Sequence, residues 1–293
     1  MSFARTSNKL SPKGLMKEEL FSRVIKEYLK IGGGPVSLTP MVGDVLLDKK
    51  LGSRMKILRD CAEKITASIT TNLFGLGNWP EDKIVEMLKT FQRIHVSCYG
   101  ITAQENMIIT QKALFETFCI QMSRLLRLRK NISGAAELAL AFRTLYDYSQ
   151  SQLDEFQQAA FGEIITQTGA TATYANWGNS MRGNLPGHAR WIAEKENHTT
   201  CLLLAIALQV YHEGRVSACA CCDYDASAEL TLGSLAESSL DELYNGEKNR
   251  AIWEGHQNGR LPSICRHCTF HSPLSALTPD HPAMKNITHF IGG

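Results

Sequence analysis

Residues 214–223 read Gly214-Arg-Val-Ser-Ala-Cys219-Ala-Cys221-Cys222-Asp223, and the residue type returns downstream as Cys265-Arg-His-Cys268. With Cys201 upstream, these make six of the nine cysteines of the chain. A CxxC pair sets two thiolates on one tight turn, and a second, distant cysteine group lets the fold bring in two more. That is how a chain builds a closed four-thiolate site for a metal centre or an iron–sulfur cluster. An odd cysteine count with the adjacent pair Cys221–Cys222 does not fit a secreted disulfide scaffold. A reducing, cytoplasmic setting is expected.

The rest of the chain is consistent with a soluble enzyme-sized protein. At 293 residues, 44% of them hydrophobic, it can bury one sizeable core and carry a small appendage. The formal charge of +2 gives no basic excess of the kind that marks a nucleic-acid binder. The N-terminal Met-Ser-Phe-Ala-Arg-Thr-Ser lacks the apolar centre of a signal peptide, and the longest apolar run, Leu202 to Val210, is too short to cross a bilayer. Neither a nucleic acid nor a membrane is expected as a partner.

Outward from the cysteines, strand-like and helix-like segments alternate. Met16 to Lys30 is amphipathic at helical spacing and stops at Gly32-Gly33-Gly34. Strands are expected over Pro35 to Thr39, Ile65 to Thr70, Arg93 to Cys98, Glu137 to Arg143 and Thr171 to Asn176. Helices are expected over Lys49 to Cys61, Pro80 to Phe91, Thr102 to Arg129 and Ser149 to Thr166. This rhythm predicts a parallel sheet, open or closed into a partial barrel, with working residues in the loops that follow the strands. The rhythm ends near Gly178, giving a barrel-like domain over 1–180, a linker over 181–200, a cysteine-rich domain over 201–275 and a tail over 276–293. In the cysteine-rich part, strands are expected at Leu203 to Tyr211, Arg215 to Ala218 and Leu230 to Leu232, and a helix at Ser239 to His256.

These pieces resemble a radical SAM enzyme with a C-terminal auxiliary-cluster domain of the SPASM/twitch type. Ser37-Leu-Thr-Pro-Met-Val-Gly43-Asp44 stands where that family carries a glycine–acid pair, with Asp in place of Glu. Thr71-Asn72-Leu73 is similar to the family's "TNG" string, Val96-Ser97-Cys98-Tyr99-Gly100 to its "SLDG" string, and Tyr174-Ala-Asn-Trp177-Gly178 to its "WGG" string. The C-terminal match is the fullest: cysteine, spacer, Gly-x-Val-x-x-Cys, an aspartate, Leu232-Gly233-Ser234-Leu235, a helix with Arg250, then Pro262-x-x-Cys-x-x-Cys.

The resemblance implies an α/β fold: a partial (β/α) TIM-like barrel missing its first strand, plus a small cysteine-rich α+β domain. It implies S-adenosylmethionine near Gly43, Asp44, Asn72, Ser97 and Arg143, and a four-iron four-sulfur cluster on Cys201, Cys219, Cys265 and Cys268. Cys219 falls five residues after Gly214, as the pattern requires; Cys222 and then Cys221 are its rivals. Zinc is the alternative occupant, since it too accepts four thiolates. The implied partners are a peptide or small-molecule substrate and a reductase or flavodoxin-type electron donor. One departure stands out. The family is defined by a CxxxCxxC loop, and no cysteine precedes Cys61. A late start site, a truncated gene or a degenerate, non-catalytic relative would each explain this, and the first two are favoured. Asp44, Asn72, Ser97 and Arg143 also have ordinary readings as turn, strand-end and surface residues. Cys61, Cys98 and Cys119 read as buried apolar cysteines, and the basic run Arg124 to Lys130 as a solvated helix end.

Overall fold

The computed structural model describes residues 14–40, 43–167, 172–176, 178, 183–220, 223 and 226–278. Helix α1 (Glu18–Lys30) is followed by strand β1 (Gly34–Leu38), helix α2 (Leu51–Arg59), strand β2 (Ile65–Thr71), helix α3 (Glu81–Thr90) and strand β3 (Arg93–Tyr99). Then come α4 (Ala103–Thr110), α5 (Phe115–Arg129), β4 (Glu137–Arg143), α6 (Gln150–Phe161) and β5 (Thr166–Gln167). The five strands form one parallel sheet in the order β1-β2-β3-β4-β5. Each strand thus pairs with the next in sequence, and neighbouring helices pack in the same order, α2 on α3, α3 on α5 and α5 on α6. Winding that never reverses is the barrel type of α/β topology, whereas a doubly wound sheet reverses at a switch point. The expected partial barrel is therefore present as a five-stranded parallel sheet.

Side-chain alternation explains why the sheet needs helices on one face. Ile65, Ala67, Ile69, Ile94, Val96, Cys98, Leu138, Leu140 and Phe142 are all buried. The opposite face is polar and only partly covered, with Ser68, Thr70 and His95 at intermediate exposure and Ser37 exposed. Register places Ser37 beside Ser68, Thr70 beside His95, and Tyr99 beside Arg143. A hydroxyl chain runs across this face: Ser37 Oγ lies 2.9 Å from Thr39 Oγ1, which lies 3.0 Å from Thr70 Oγ1.

The expected single helix over Thr102 to Arg129 is two helices. Gln111 takes left-handed backbone (φ 59) and ends α4, with its N–H still bonded to the Met107 carbonyl. The expected helix to Thr166 stops at Phe161, because Gly162 is left-handed (φ 73) and caps it. Arg124 is not merely solvated: its guanidinium donates to the carbonyls of Leu76 (3.2 Å) and Trp79 (2.9 Å).

The second set of elements is β6 (Thr173–Tyr174), β7 (Arg190–Trp191), α7 (Leu202–Ile206), β8 (Gln209–Val210), β9 (Arg215–Ser217), β10 (Thr231–Ser234), α8 (Leu240–Tyr244), α9 (Glu247–Gln257) and α10 (Ser263–Arg266). Strands β8, β9 and β10 form an antiparallel sheet in the order β10-β9-β8. Leu203 to Ile206, expected as strand, lies in a short helix that begins just after Cys201. The expected helix Ser239 to His256 is split at Asn245-Gly246 into α8 and α9. By compactness the chain divides into two units, one holding Tyr28–Thr173 with Asn184–Arg190, the other holding the residues up to Glu27, Tyr174–Gly183 and those from Trp191 onward.

Glu105 fixes the loops that leave β3 and β4. Its carboxylate is 2% exposed. One oxygen accepts the Leu145 N–H at 2.5 Å; the other accepts the Ile101 N–H at 2.9 Å and the Tyr148 hydroxyl at 3.1 Å. Gly100 makes room for it: at φ +78 a Cβ there would lie 2.7 Å from Glu105 Cγ. Replacing one buried acceptor by a donor leaves donors facing each other, which costs about 1–3 kcal/mol. Glu105→Gln, almost the same in shape, should therefore lower the unfolding free energy from urea titration by about 1–3 kcal/mol and move the midpoint down accordingly. A midpoint equal to wild type would show that the carboxylate does not hold these loops.

Candidate functional site

Two groups of residues carry candidate chemistry, one in each unit. The first lies at the C-terminal edge of the parallel sheet. Asp44 caps the short 3-10 turn after β1, and its carboxylate accepts from Leu46 N (2.9 Å), Asn72 N (2.7 Å) and Thr71 Oγ1 (2.9 and 3.0 Å). It ties the exits of β1 and β2 together. Asn72 accepts the Phe74 N–H at 3.0 Å, closing a turn in which the fully buried Leu73 is left-handed (φ 62). A leucine in that conformation costs roughly 1–2 kcal/mol. The glycine of the family's "TNG" string would adopt it freely. Gly43 also has positive φ (85) and is exposed.

Tyr99 is the centre of this group, and nothing in the sequence singled it out. Burial pushes its phenol up, opposed by the nearby Arg143 guanidinium; the Asp44 carboxylate adds to the rise, and a hydrogen bond with Ser97 counters it. Asp44, Ser97 and Arg143, drawn from the ends of three strands, thus surround one phenol. Its ring also stacks at a tilt on Phe74, centroids 6.2 Å apart. Ser97 is buried, and Arg143 donates to its neighbour's carbonyl at Phe142 (3.2 Å). Of the residues expected here, Asp44, Ser97 and Arg143 converge. Asn72 is linked to them through its N–H on Asp44, and Gly43 adjoins.

The second group is the thiols. Cys201 stands at the start of α7 and bridges to Pro273, Cys219 follows β9, Cys265 lies in α10 and Cys268 just beyond it. Cys201, Cys219 and Cys268 are buried and Cys265 half-buried, and no described cysteine is in a disulfide. Burial pushes the Cys265 thiol well up, and the Cys219, Cys201 and Cys268 thiols each add to the rise. Burial likewise raises Cys201. The backbone N–H groups of Ser272 and Leu203 oppose that rise, and the Cys219 and Cys268 thiols add to it. The four expected ligands are therefore within electrostatic reach of one another. Among the described residues, no three His, Cys, Asp or Glu side chains gather tightly enough to chelate one ion. By its chemistry a set of four thiols fits a four-iron four-sulfur cluster, and it also fits zinc. The rivals Cys221 and Cys222 lie outside the described residues.

Around the thiols, Asp223 is 1% exposed, accepting from Ser217 Oγ (2.8 Å) and Ser227 N (2.7 Å), while the Tyr211 hydroxyl donates to its carbonyl. Two asparagines that sequence reading passed over, Asn176 and Asn197, hold the Cys265–Cys268 loop. Their only sequence signal is a polar residue in a loop, and their partners lie far along the chain. His267 is exposed; Cys61 and Cys119, expected to be buried, are half-buried, and Cys98 is fully buried.

His256, 1% exposed in α9, is held down to about 4 by burial, with His271 adding to the fall against a counter-effect from the Thr199 carbonyl. It is neutral when folded and binds a proton on unfolding below its ordinary value of 6.5. Its contribution is full above that value and is lost as pH falls towards 4. His256→Gln should flatten the fall in stability of the metal-free chain between these limits. An unchanged slope would assign the acid sensitivity elsewhere.

Comparison with known proteins agrees with this arrangement. Residues 201–269 match the SPASM family, an iron–sulfur cluster-binding domain. The fold is similar to that of BtrN in complex with AdoMet and 2-DOIA, at a TM-score of 0.58 and 14% identity over 90% of this chain and 85% of that one. It is also similar to native anSMEcpe with bound AdoMet and Kp18Cys peptide, at a TM-score of 0.50 and 15% identity over 99% and 93% of the two chains. No curated protein matches the sequence significantly. No helix among the described residues is long and apolar enough to cross a membrane. The SPASM match over residues 201–269 bears out the expected iron–sulfur domain at the C-terminus, and the two solved structures share the fold of the chain.

Proposed function

We propose that this chain is a radical SAM/SPASM-type iron–sulfur protein whose auxiliary four-iron four-sulfur cluster is held by Cys201, Cys219, Cys265 and Cys268. The observation that carries the reading is the mutual reach of these four thiols within the SPASM-matched segment. Bound there, the cluster supplies one-electron chemistry. Four thiolates occupy every iron, which suits relay or structural support better than direct contact with a substrate. Ser272 and Leu203 N–H groups beside Cys201 favour its thiolate.

At the sheet edge, the Tyr99-centred group supports binding of a polar, zwitterionic cofactor such as S-adenosylmethionine. Arg143 offers a cation to a carboxylate, and Ser97 a hydroxyl. Asp44 reaches an ammonium only by sharing a carboxylate already committed to Leu46, Thr71 and Asn72. The polar sheet face beyond it, with Ser37, Thr39, Ser68, Thr70 and His95, supports a peptide or small-molecule substrate, and a flavodoxin-type reductase would be the electron donor such chemistry calls for. A second reading is a non-catalytic protein with one structural cluster or zinc. It draws on the lack of a CxxxCxxC string in the 293 residues.

Single alanine replacements test the ligand set. Each of Cys201, Cys219, Cys265 and Cys268 should lose most of the reconstituted iron, while Cys221→Ala and Cys222→Ala keep it. Iron loss at Cys222 with retention at Cys219 would reassign that ligand. Lacking a CxxxCxxC string, the 293-residue chain should give no 5′-deoxyadenosine from S-adenosylmethionine with dithionite; its appearance would contradict the non-catalytic state of this sequence.

A further inference from the structure

The loop Cys265-Arg266-His267-Cys268 presents four consecutive backbone carbonyls, and every one meets a donor supplied by two asparagines. The Asn197 side-chain nitrogen donates to Cys265 O and to Cys268 O, both at 3.0 Å, and its backbone N–H donates to Arg266 O at 2.8 Å. The Asn176 side-chain nitrogen donates to His267 O at 3.0 Å. The other end of that amide accepts the Thr269 N–H and hydroxyl, each at 3.1 Å, while the Asn176 N–H donates to Thr269 Oγ1 at 2.7 Å. The two side chains are 3% and 4% exposed. Both amide orientations are fixed by their neighbours, because Asn197 faces two carbonyls and Asn176 faces both an N–H and a carbonyl.

We propose that Asn176 and Asn197 are positioning residues for the cluster, an inference that rests on the ligand set above. A cluster on four thiolates is an anion, and carbonyl oxygens turned towards it would repel it. The two side-chain amides draw three of the four oxygens of the ligand loop onto buried donors, and the Asn197 backbone N–H takes the fourth. Asn197 does more: one nitrogen, using its two hydrogens, spans the carbonyls of both ligand residues and so sets the separation of their backbones. Partners that orient ligands in this way typically contribute 10–100-fold to metal affinity.

Asn197→Asp and Asn176→Asp keep the shape and replace a donor with an acceptor. Wild type and both variants would be reconstituted anaerobically with iron and sulfide. Iron loss to EDTA would then be timed, and the electron paramagnetic resonance spectrum and reduction potential of the dithionite-reduced cluster recorded. We expect iron loss about 10- to 100-fold faster, a lowered potential and an altered spectrum, with far-ultraviolet circular dichroism preserved. Two variants that match wild type in rate, potential and spectrum overturn the proposal. If the Asp variants do not fold, Asn197→Ser and Asn176→Ser, smaller and each keeping a donor, decide in the same way: intermediate loss supports it, wild-type retention overturns it. A wild type that takes up zinc and no iron overturns the cluster assignment on which the proposal rests, and is told apart by the metal found.

Discussion

Four largely buried thiols within electrostatic reach of one another repel as soon as they ionise. Burial and mutual charge push the Cys265 and Cys201 thiols up, and the Ser272 and Leu203 N–H groups pull Cys201 the other way. A centre of positive charge resolves that conflict, and iron or zinc supplies one. Most elements of the surrounding unit are short: β8, β9 and β10 contain two, three and four residues, and α7, α8 and α10 five, five and four, with α9 the longer exception at eleven. Such small elements make a weak core, and structural metal is a common substitute for one. The two buried asparagines fit the same logic, since each spends hydrogen bonds on the backbone of the Cys265–Cys268 loop.

The sheet obeys a different constraint. Its helix-facing side is apolar and closed, while the other side carries hydroxyls, His95 and Tyr99. Burial and the Arg93 charge hold the His95 imidazole below its ordinary range, with Glu137 opposing, so the ring is a neutral hydrogen-bonding group at physiological pH. A parallel sheet with one polar face has a reason to leave that face accessible. Because each strand pairs with its sequence neighbour, the exits of β1, β3 and β4 reach one edge, where Asp44, Ser97 and Arg143 meet at Tyr99. Glu105 and the strained Leu73 turn keep those exits in place.

Much of this was legible beforehand, for physical reasons. Strands β2, β3 and β4 announce themselves by apolar alternation within a residue or so of their ends. The CxxC pair and its distant partners specify a thiolate site from spacing alone. What escaped reading depends on partners far away. The break at Gln111 carries no glycine or proline, and the apolar periodicity runs across it. The apolar run after Cys201 fits strand or helix equally by pattern, and it is helical over Leu202–Ile206. Asn176 and Asn197 are ordinary loop residues until the fold places them against residues 265–269. Asp44 was read as a free ligand to a cofactor, and its acceptors are already engaged by Leu46, Thr71 and Asn72.

The account's central claim is a cluster on four cysteine thiolates, and metal content tests it most directly. The chain, purified without oxygen, should carry about four irons and four sulfides, with the broad brown absorption near ~400 nm of thiolate-bound clusters. A colourless protein with one zinc per chain would contradict the claim and make the cysteine-rich unit a structural zinc module.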